Sequence, residues 1–152
     1  MQIQYVMNTP PASVPRTTSL EEAAQHMTRV GVGALPVVED DRVVGIVTDR
    51  DLVVRAMARG LPPQTEVEKV MSNAPATVDA ETAVAVALLV MRSVQVRHLP
   101  VVSEGRLVDM ISFDDLFWQL TQQLSDLAAV VDAARKIPEV LRGAQQAPLP
   151  HG

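Results

Sequence analysis

Cysteine is absent from the chain, and aromatic residues make up only 3% of it. The lack of cysteine excludes disulfide bonds, thiolate metal sites and cysteine nucleophiles. No uninterrupted apolar run approaches the about 20 residues of a membrane-spanning helix, and residues 1–16 lack the basic and apolar regions of a signal peptide. A basic surplus is also missing, because the net charge is −5, and this argues against nucleic-acid binding. We therefore expect a cytoplasmic protein without a nucleic-acid or membrane partner.

The chain is nevertheless rich enough in apolar residues to fold. Hydrophobic residues make up 47% of its 152 residues, which excludes global disorder. The length allows one ordinary domain or two small ones of about 60 residues each. With so few aromatic residues, the core must be built from Val, Leu, Ala and Met.

The main feature of the sequence is an internal repeat with a spacing of 64 residues. Residues 6–55 align with 70–119 without a gap, and 18 of the 50 aligned positions are identical. Chance at average composition would give about three to five identities. Self-similarity of this kind predicts two copies of one structural unit. The predicted segments are unit one at 1–60, a linker at 61–69, unit two at 70–123, a C-terminal helical extension at 124–137 and a disordered tail at 138–152.

Each copy predicts the order strand, helix, strand, strand, helix, which is a mixed α+β fold. The first strands are expected at 12–14 and 76–78, and the later strands meet at turns formed by Asp40-Asp41 and Glu104-Gly105. Thr18 and Glu21 have capping-box spacing for the first helix, whose counterpart is expected from Asp79 to about Ser93.

Two features of the helices predict assembly. Residues 83–91 are apolar around the whole helix circumference, so that a partner subunit or the extension must cover the second face. The last helix continues as an apolar stripe that Pro138 is expected to end. The members of that stripe are Leu116, Leu120, Leu124, Leu127 and Val131. A homodimer is the simplest arrangement.

The two copies together resemble a pair of CBS domains, often called a Bateman module. The motifs that carry the resemblance are Val6-Met7, GALPVV at 33–38 and GIVTDRD at 45–51. The resemblance covers about residues 5–123 and extends to free-standing actinobacterial CBS proteins, including those induced under low oxygen. It implies two units packed about a pseudo-twofold axis, disc-shaped dimers, and clefts that bind adenine-containing ligands in many members. In many other members no ligand is known.

The candidate binding residues of copy one lie where a strand meets the second helix. Gly45 removes a Cβ near the backbone, and the first helical turn offers N–H groups to phosphate or ribose oxygens. Thr48 and Asp51 match the Thr and Asp that contact phosphate or ribose in ligand-binding CBS modules, and Arg50 is a further phosphate partner. An alternative remains open, because Thr48 is also a good N-cap residue and Asp51 a good N3 residue.

Copy two predicts a weaker second site at Ser112 and Asp115. Asp109 replaces the glycine there, and a carboxylate near a bound phosphate is repulsive. Arg97 and His98 precede the next strand, at a position where basic residues of nucleotide-binding relatives reach phosphates. Their counterparts in copy one are the uncharged residues 33–34. The alternative for the basic pair is a solvated Arg97 and a packed His98.

No arrangement of residues predicts catalysis or a metal site, since no Ser/His/Asp order, paired-carboxylate motif or His-Glu-x-x-His spacing occurs. The function expected is regulatory, with no required cofactor. The candidate ligands are AMP, ADP, ATP, S-adenosylmethionine and NAD-type compounds. The alternative is a ligand-independent module for dimerisation or protein interaction, whose effector protein the sequence does not name.

Overall fold

The computed structural model describes residues 1–7 and 11–145, with side chains through residue 136. The chain divides into a compact unit, Met1–Leu116, which contains most of both repeats, and a second unit, Phe117–Gly152. The helices and strands are α1 Leu20–Val30, β1 Ala34–Glu39, β2 Arg42–Thr48, α2 Asp49–Asp51, β3 Ser72–Asn73, β4 Val78–Asp79, α3 Val84–Val94, β5 His98–Ser103, β6 Arg106–Ser112 and α4 Phe113–Gln145. The predicted mixed α+β fold with two tandem units is confirmed.

Each repeat is built around an antiparallel hairpin. In repeat one, β1 pairs with β2, and in repeat two, β5 pairs with β6 at the equivalent register. Asp40 and Asp41 turn the first hairpin with φ of 49° and 62°, and Glu104 and Gly105 turn the second with φ of 49° and 76°. Two consecutive positive φ angles suit the right-handed twist of a tight hairpin, and Asp and Gly tolerate them best. Both predicted turns are confirmed.

The third strand differs between the two sheets. The strand orders are β1–β2–β3 and β4–β5–β6. Strand β3 comes from repeat two but joins the sheet of repeat one, antiparallel to β2, whereas β4 lies parallel to β5. The strand predicted at 12–14 is reduced to a single parallel bridge between Val14 and Val37, and the strand predicted at 76–78 begins only at Val78.

The two hydrophobic cores exchange the segments that precede each repeat. Ile3 and Val6, at the start of the chain, are buried in the core of repeat two. Val67 and Val70 are buried in the core of repeat one. Backbone hydrogen bonds fix the first exchange, since Ile3 N donates to Thr82 O at 2.9 Å. The predicted unit boundaries follow the chain order, and they place Ile3 and Val6 in unit one, Val67 in the linker and Val70 in unit two.

Several helix ends differ from the predicted ones. The capping box of α1 is formed by Ser19 and Glu22 rather than by Thr18 and Glu21, because the Thr18 carbonyl accepts a bond from Val67 N. Helix α3 begins at Val84, since residues 78–79 form β4. Helix α4 continues through Pro138 to Gln145, so the prediction that Pro138 ends it is wrong. The rest of the predicted tail, 146–152, lies outside the described residues.

Helix α3 buries one face only. Val84, Ala87 and Met91 point into the core, whereas Val86 and Leu89 are 47% and 62% exposed. Among the described residues, no helix is both long and apolar enough to cross a membrane.

Candidate ligand-binding site

Thr48 and Asp51 are held in fixed positions at the junction of β2 and α2. Asp51 N donates to Thr48 Oγ1 at 3.1 Å, and Thr48 N donates to Asp51 Oδ2 at 2.9 Å. These reciprocal bonds form a capping box, which satisfies the N–H groups at the start of the helical segment. The local role that the sequence left open is therefore present, and it also orients both side chains. The Thr48 hydroxyl keeps its proton for donation, because its oxygen acts as the acceptor in this bond.

Beside this junction lies a cavity of about 670 Å³, which we call the Thr48 cavity. Its lining brings together five of the six residues predicted for the first site, namely Thr48, Arg50, Asp51, Arg97 and His98. The first three come from repeat one and the last two from repeat two. A volume of this size lies in the range typical of small-molecule sites.

Gly45, the sixth predicted residue, does not line the Thr48 cavity. It is buried in β2, and a Cβ built on it would lie 2.3 Å from the sulfur of Met71. Such a distance is far shorter than van der Waals contact, so the absent side chain makes room for Met71 in the core of repeat one. In this structure, close packing explains the glycine without any contact to a ligand.

Three guanidinium groups border the Thr48 cavity, and they differ in their partners. Arg55 Nε lies 3.4 Å from Asp51 Oδ1. Arg97 Nη2 donates to Asp114 Oδ1 at 2.6 Å, and its guanidinium carbon lies 5.2 Å from the centre of the Phe113 ring. Arg50 has no ion-pair partner among the described residues and is exposed. Because its charge is not already neutralised by a partner, Arg50 is the guanidinium best placed to meet an anion.

The second predicted site forms a separate and smaller cavity of about 380 Å³, which we call the Ser112 cavity. Ser112 and Asp115 line it, and they repeat the capping box of the first site: Asp115 N donates to Ser112 Oγ at 3.1 Å. Asp109 also lines this cavity, with 7% of its surface exposed. Its carboxylate accepts a hydrogen bond from Met110 N at 2.7 Å.

The charges of the two cavities are opposite in character. The Thr48 cavity holds three Arg side chains against the two carboxylates of residues 49 and 51. The Ser112 cavity holds Asp109, Asp114 and Asp115, and no Lys or Arg is found among its described lining residues. At the repeat spacing of 64, Asp114 takes the place of Arg50. An anionic ligand is therefore attracted to the first cavity and repelled by the second.

His98 lines both cavities. Burial lowers the pKa of His98 below its usual value, and nearby carboxylates, first Asp49 and then Asp114, act in the opposite direction. The neutral imidazole is thus favoured in the protein alone. A bound phosphate close to the ring would favour the protonated form.

Sequence reasoning missed the apolar part of the Thr48 cavity. The missed lining residues are Ile46, Val54, Pro75, Ala76, Val94 and Val96. The repeat itself carried a signal, since Pro75-Ala76 and the two later valines recur at 11–12, 30 and 32, where they line the Ser112 cavity. A search for apolar positions identical in both copies would have included four of the six, Pro75, Ala76, Val94 and Val96.

Comparison with known proteins identifies both repeats. The CBS-domain family profile matches residues 3–57 and 67–121. Hypoxic response protein 1 of Mycobacterium tuberculosis is 38% identical over 113 residues, which cover 73% of this chain and 79% of that protein.

Solved structures share the fold. A crystal structure of Hypoxic Response Protein I with two coordinated zinc ions matches with a TM-score of 0.70 and 36% identity, covering 76% of this chain and 96% of that one. A CBS domain protein from Pyrobaculum aerophilum complexed with AMP matches with a TM-score of 0.72 and 28% identity, covering 80% and 99%. Within the described part of this chain, no group of three His, Asp or Glu side chains is arranged to hold a metal ion.

Proposed function

This chain belongs to the CBS-domain family, and on that premise we propose that it is a non-catalytic regulatory protein that binds an adenine nucleotide or another adenosyl compound in the Thr48 cavity. One observation carries the proposal. Thr48 and Asp51 from one repeat and Arg97 and His98 from the other, which are far apart in sequence, border the same cavity. A site assembled from both repeats also makes ligand binding sensitive to how the repeats pack.

The lining supplies the three kinds of contact that an adenosyl ligand needs. Arg50 and Arg97 are suited to phosphate oxygens or a carboxylate. The Thr48 hydroxyl and the Asp51 carboxylate are suited to ribose hydroxyls. Val54 and the valines at 94 and 96 are all more than a third exposed and offer apolar surface to a flat base.

The proposal assigns the ligand to the Thr48 cavity rather than to the Ser112 cavity. At an effective dielectric constant of 20, a phosphate 4 Å from a single carboxylate is repelled by about 4 kcal/mol, before screening by solvent reduces this figure. Three carboxylates line the Ser112 cavity. We therefore expect one occupied site per chain for a nucleotide, with Ser112 and Asp115 forming the weaker site.

AMP in the structure of the Pyrobaculum aerophilum relative supports this class of ligand. The test is a thermal-shift screen of the purified protein with AMP, ADP, ATP, S-adenosylmethionine and NAD, with guanosine monophosphate and inorganic phosphate as controls. An adenine compound should raise the melting temperature by several degrees at millimolar concentration, and phosphate alone should not. If no adenine compound shifts the melting temperature, the ligand-independent interaction module takes the place of the sensor.

We propose further that the protein is a homodimer that uses the outer face of α3. Val86 and Leu89 are 47% and 62% exposed on this helix, and with Val90 they line the same surface depression. Apolar side chains clustered on one exposed helix face favour contact with another protein. The simplest partner is a second copy of the chain, related by a twofold axis, whose own α3 would cover these side chains.

A further inference from the structure

The C-terminal helix extends beyond the part of the chain that the family accounts for. The second CBS match ends at residue 121, whereas α4 continues to Gln145. Every residue from Thr121 to Lys136 is exposed. Exposure of such a segment is unusual because it carries large apolar side chains: Leu124, Leu127 and Val131 are 67%, 62% and 52% exposed.

The apolar residues of this helix follow a strict seven-residue repeat. They alternate in steps of three and four, and we call them the 117–134 seam: Phe117, Leu120, Leu124, Leu127, Val131 and Ala134. Phe113 lies in the same register, so that the pattern spans about three heptads. A spacing that averages 3.5 residues drifts by only about 20° per heptad on a straight helix, so that the apolar residues form one continuous stripe. A stripe with this spacing matches the contact surface of a two-helix coiled coil.

The distribution of charged residues along α4 indicates which kind of helix it can pair with. From Phe117 to Ala134 the two charged residues are Asp126 and Asp132, and they occupy the outer c and b positions of the heptad rather than the e and g positions that flank the seam. Asp132 forms an ion pair with Lys136 at 2.8 Å along the outer side. The flanking positions hold Thr121, Gln123, Ala128 and Val130. Two identical seams can therefore meet without like-charge repulsion, whereas a charged partner helix would find no counter-charge.

We infer that the 117–134 seam pairs with the same seam of a second copy to form a parallel two-stranded coiled coil. In parallel coiled coils, Leu at d positions, as at Leu120 and Leu127, with a β-branched residue at an a position, as at Val131, favours two strands over three or four. This contact is separate from the α3 face, because it uses different residues.

Disulfide trapping tests the inference directly, because the chain has no cysteine. In a parallel, in-register pair each a residue faces its own copy within reach of a disulfide. Leu124→Cys and Val131→Cys should therefore cross-link to covalent dimers on mild oxidation at micromolar concentration. The matched control, Gln122→Cys, lies on the outer side and should remain at least fivefold less cross-linked. Equal trapping of Leu124→Cys and Gln122→Cys, or trapping of neither, would overturn the inference.

Light scattering separates this contact from the α3 interface. The Leu89→Glu variant should keep at least twice the 16.4 kDa of one chain, because the helices still pair. Adding Leu124→Glu and Leu127→Glu should give monomers, whereas adding Gln122→Glu and Ala129→Glu on the outer side should not. All four side chains lie in the exposed part of α4, so none of these substitutions alters the packed cores of the two repeats. A monomeric Leu89→Glu chain would contradict the coiled coil and leave the α3 interface standing.

Discussion

Asp51 and Asp115 offer a matched pair of substitutions, because they have the same local role in the two repeats. Each accepts a bond from the backbone N–H of the capping residue three positions earlier, at 2.9 Å for Asp51 and 3.3 Å for Asp115. Only Asp51 lines the cavity that we assign to the ligand. Replacing each by Ala therefore removes a similar structural contact, and only one of the two replacements removes a ligand contact.

The expected magnitudes follow from these contacts. Loss of the capping hydrogen bond costs about 1 kcal/mol, and loss of the partly exposed Arg55 pair adds at most about 1 kcal/mol to Asp51→Ala. For a chain of this size, 1 kcal/mol corresponds to about 2–4 °C in melting temperature. AMP at a hundred times its dissociation constant should stabilise the parent by about 2.7 kcal/mol, a shift of about 5–10 °C.

Differential scanning fluorimetry with and without AMP measures both effects. Without AMP, Asp51→Ala and Asp115→Ala should both melt a few degrees below the parent. With AMP, Asp115→Ala should keep the full upward shift and Asp51→Ala should lose most of it. Equal shifts in both variants would show that Asp51 has a structural role only. Loss of the shift in Asp115→Ala alone would move the ligand to the Ser112 cavity.

Three further outcomes are expected from the same structure. Burial lowers the pKa of His98, so His98 binds a proton more readily in the unfolded chain, and protonation destabilises the fold as the pH drops below about 6.5. The urea midpoint should therefore fall between pH 7.5 and pH 5.5, and His98→Gln should reduce this fall. A fall of the same size in His98→Gln would refute the role of His98. Gly45→Ala should lower the free energy of unfolding by about 1–3 kcal/mol, because the added methyl group overpacks against Met71; urea denaturation measures this. AMP affinity, measured by calorimetry, should not change. Weaker AMP binding at unchanged stability would show that Gly45 is part of the ligand site. The double variant Leu124→Glu, Leu127→Glu should lose the coiled coil but still be a dimer by light scattering. Adding Leu89→Glu on α3 should convert this double variant to a monomer. A double variant that is already monomeric would exclude the α3 interface.

The parts of the fold that follow local rules could be predicted from the sequence. The hairpin turns at Asp40-Asp41 and Glu104-Gly105 depend on residue types that tolerate positive φ. The capping pair Thr48 and Asp51 depends on a three-residue spacing. These features need no knowledge of the distant chain. Because the two copies align without a gap, a turn or capping pair predicted in one copy is also predicted at the equivalent position of the other.

The parts that depend on tertiary contacts could not be predicted in this way. Ile3 is buried in the core of repeat two and Val67 in that of repeat one, and nothing local distinguishes this exchange from packing in chain order. Thr18 and Ser19 both have capping-box spacing, and the long-range bond from Val67 N to the Thr18 carbonyl decides between them. The sequence pattern around Gly45 predicts a ligand contact, whereas the structure shows packing against Met71. Met71 is 26 positions away in the chain, so this contact cannot be predicted from the local sequence.

Isothermal titration of AMP into the parent protein tests the central claim most directly, since it measures affinity and the number of sites together. The account predicts a single class of site with one AMP per chain, because the Thr48 cavity is cationic and the Ser112 cavity is lined by three carboxylates. An Arg50→Ala variant should bind at least tenfold more weakly if Arg50 meets the phosphate, and each tenfold loss corresponds to about 1.4 kcal/mol. Absence of binding at millimolar AMP, or two equal sites per chain, would contradict the account.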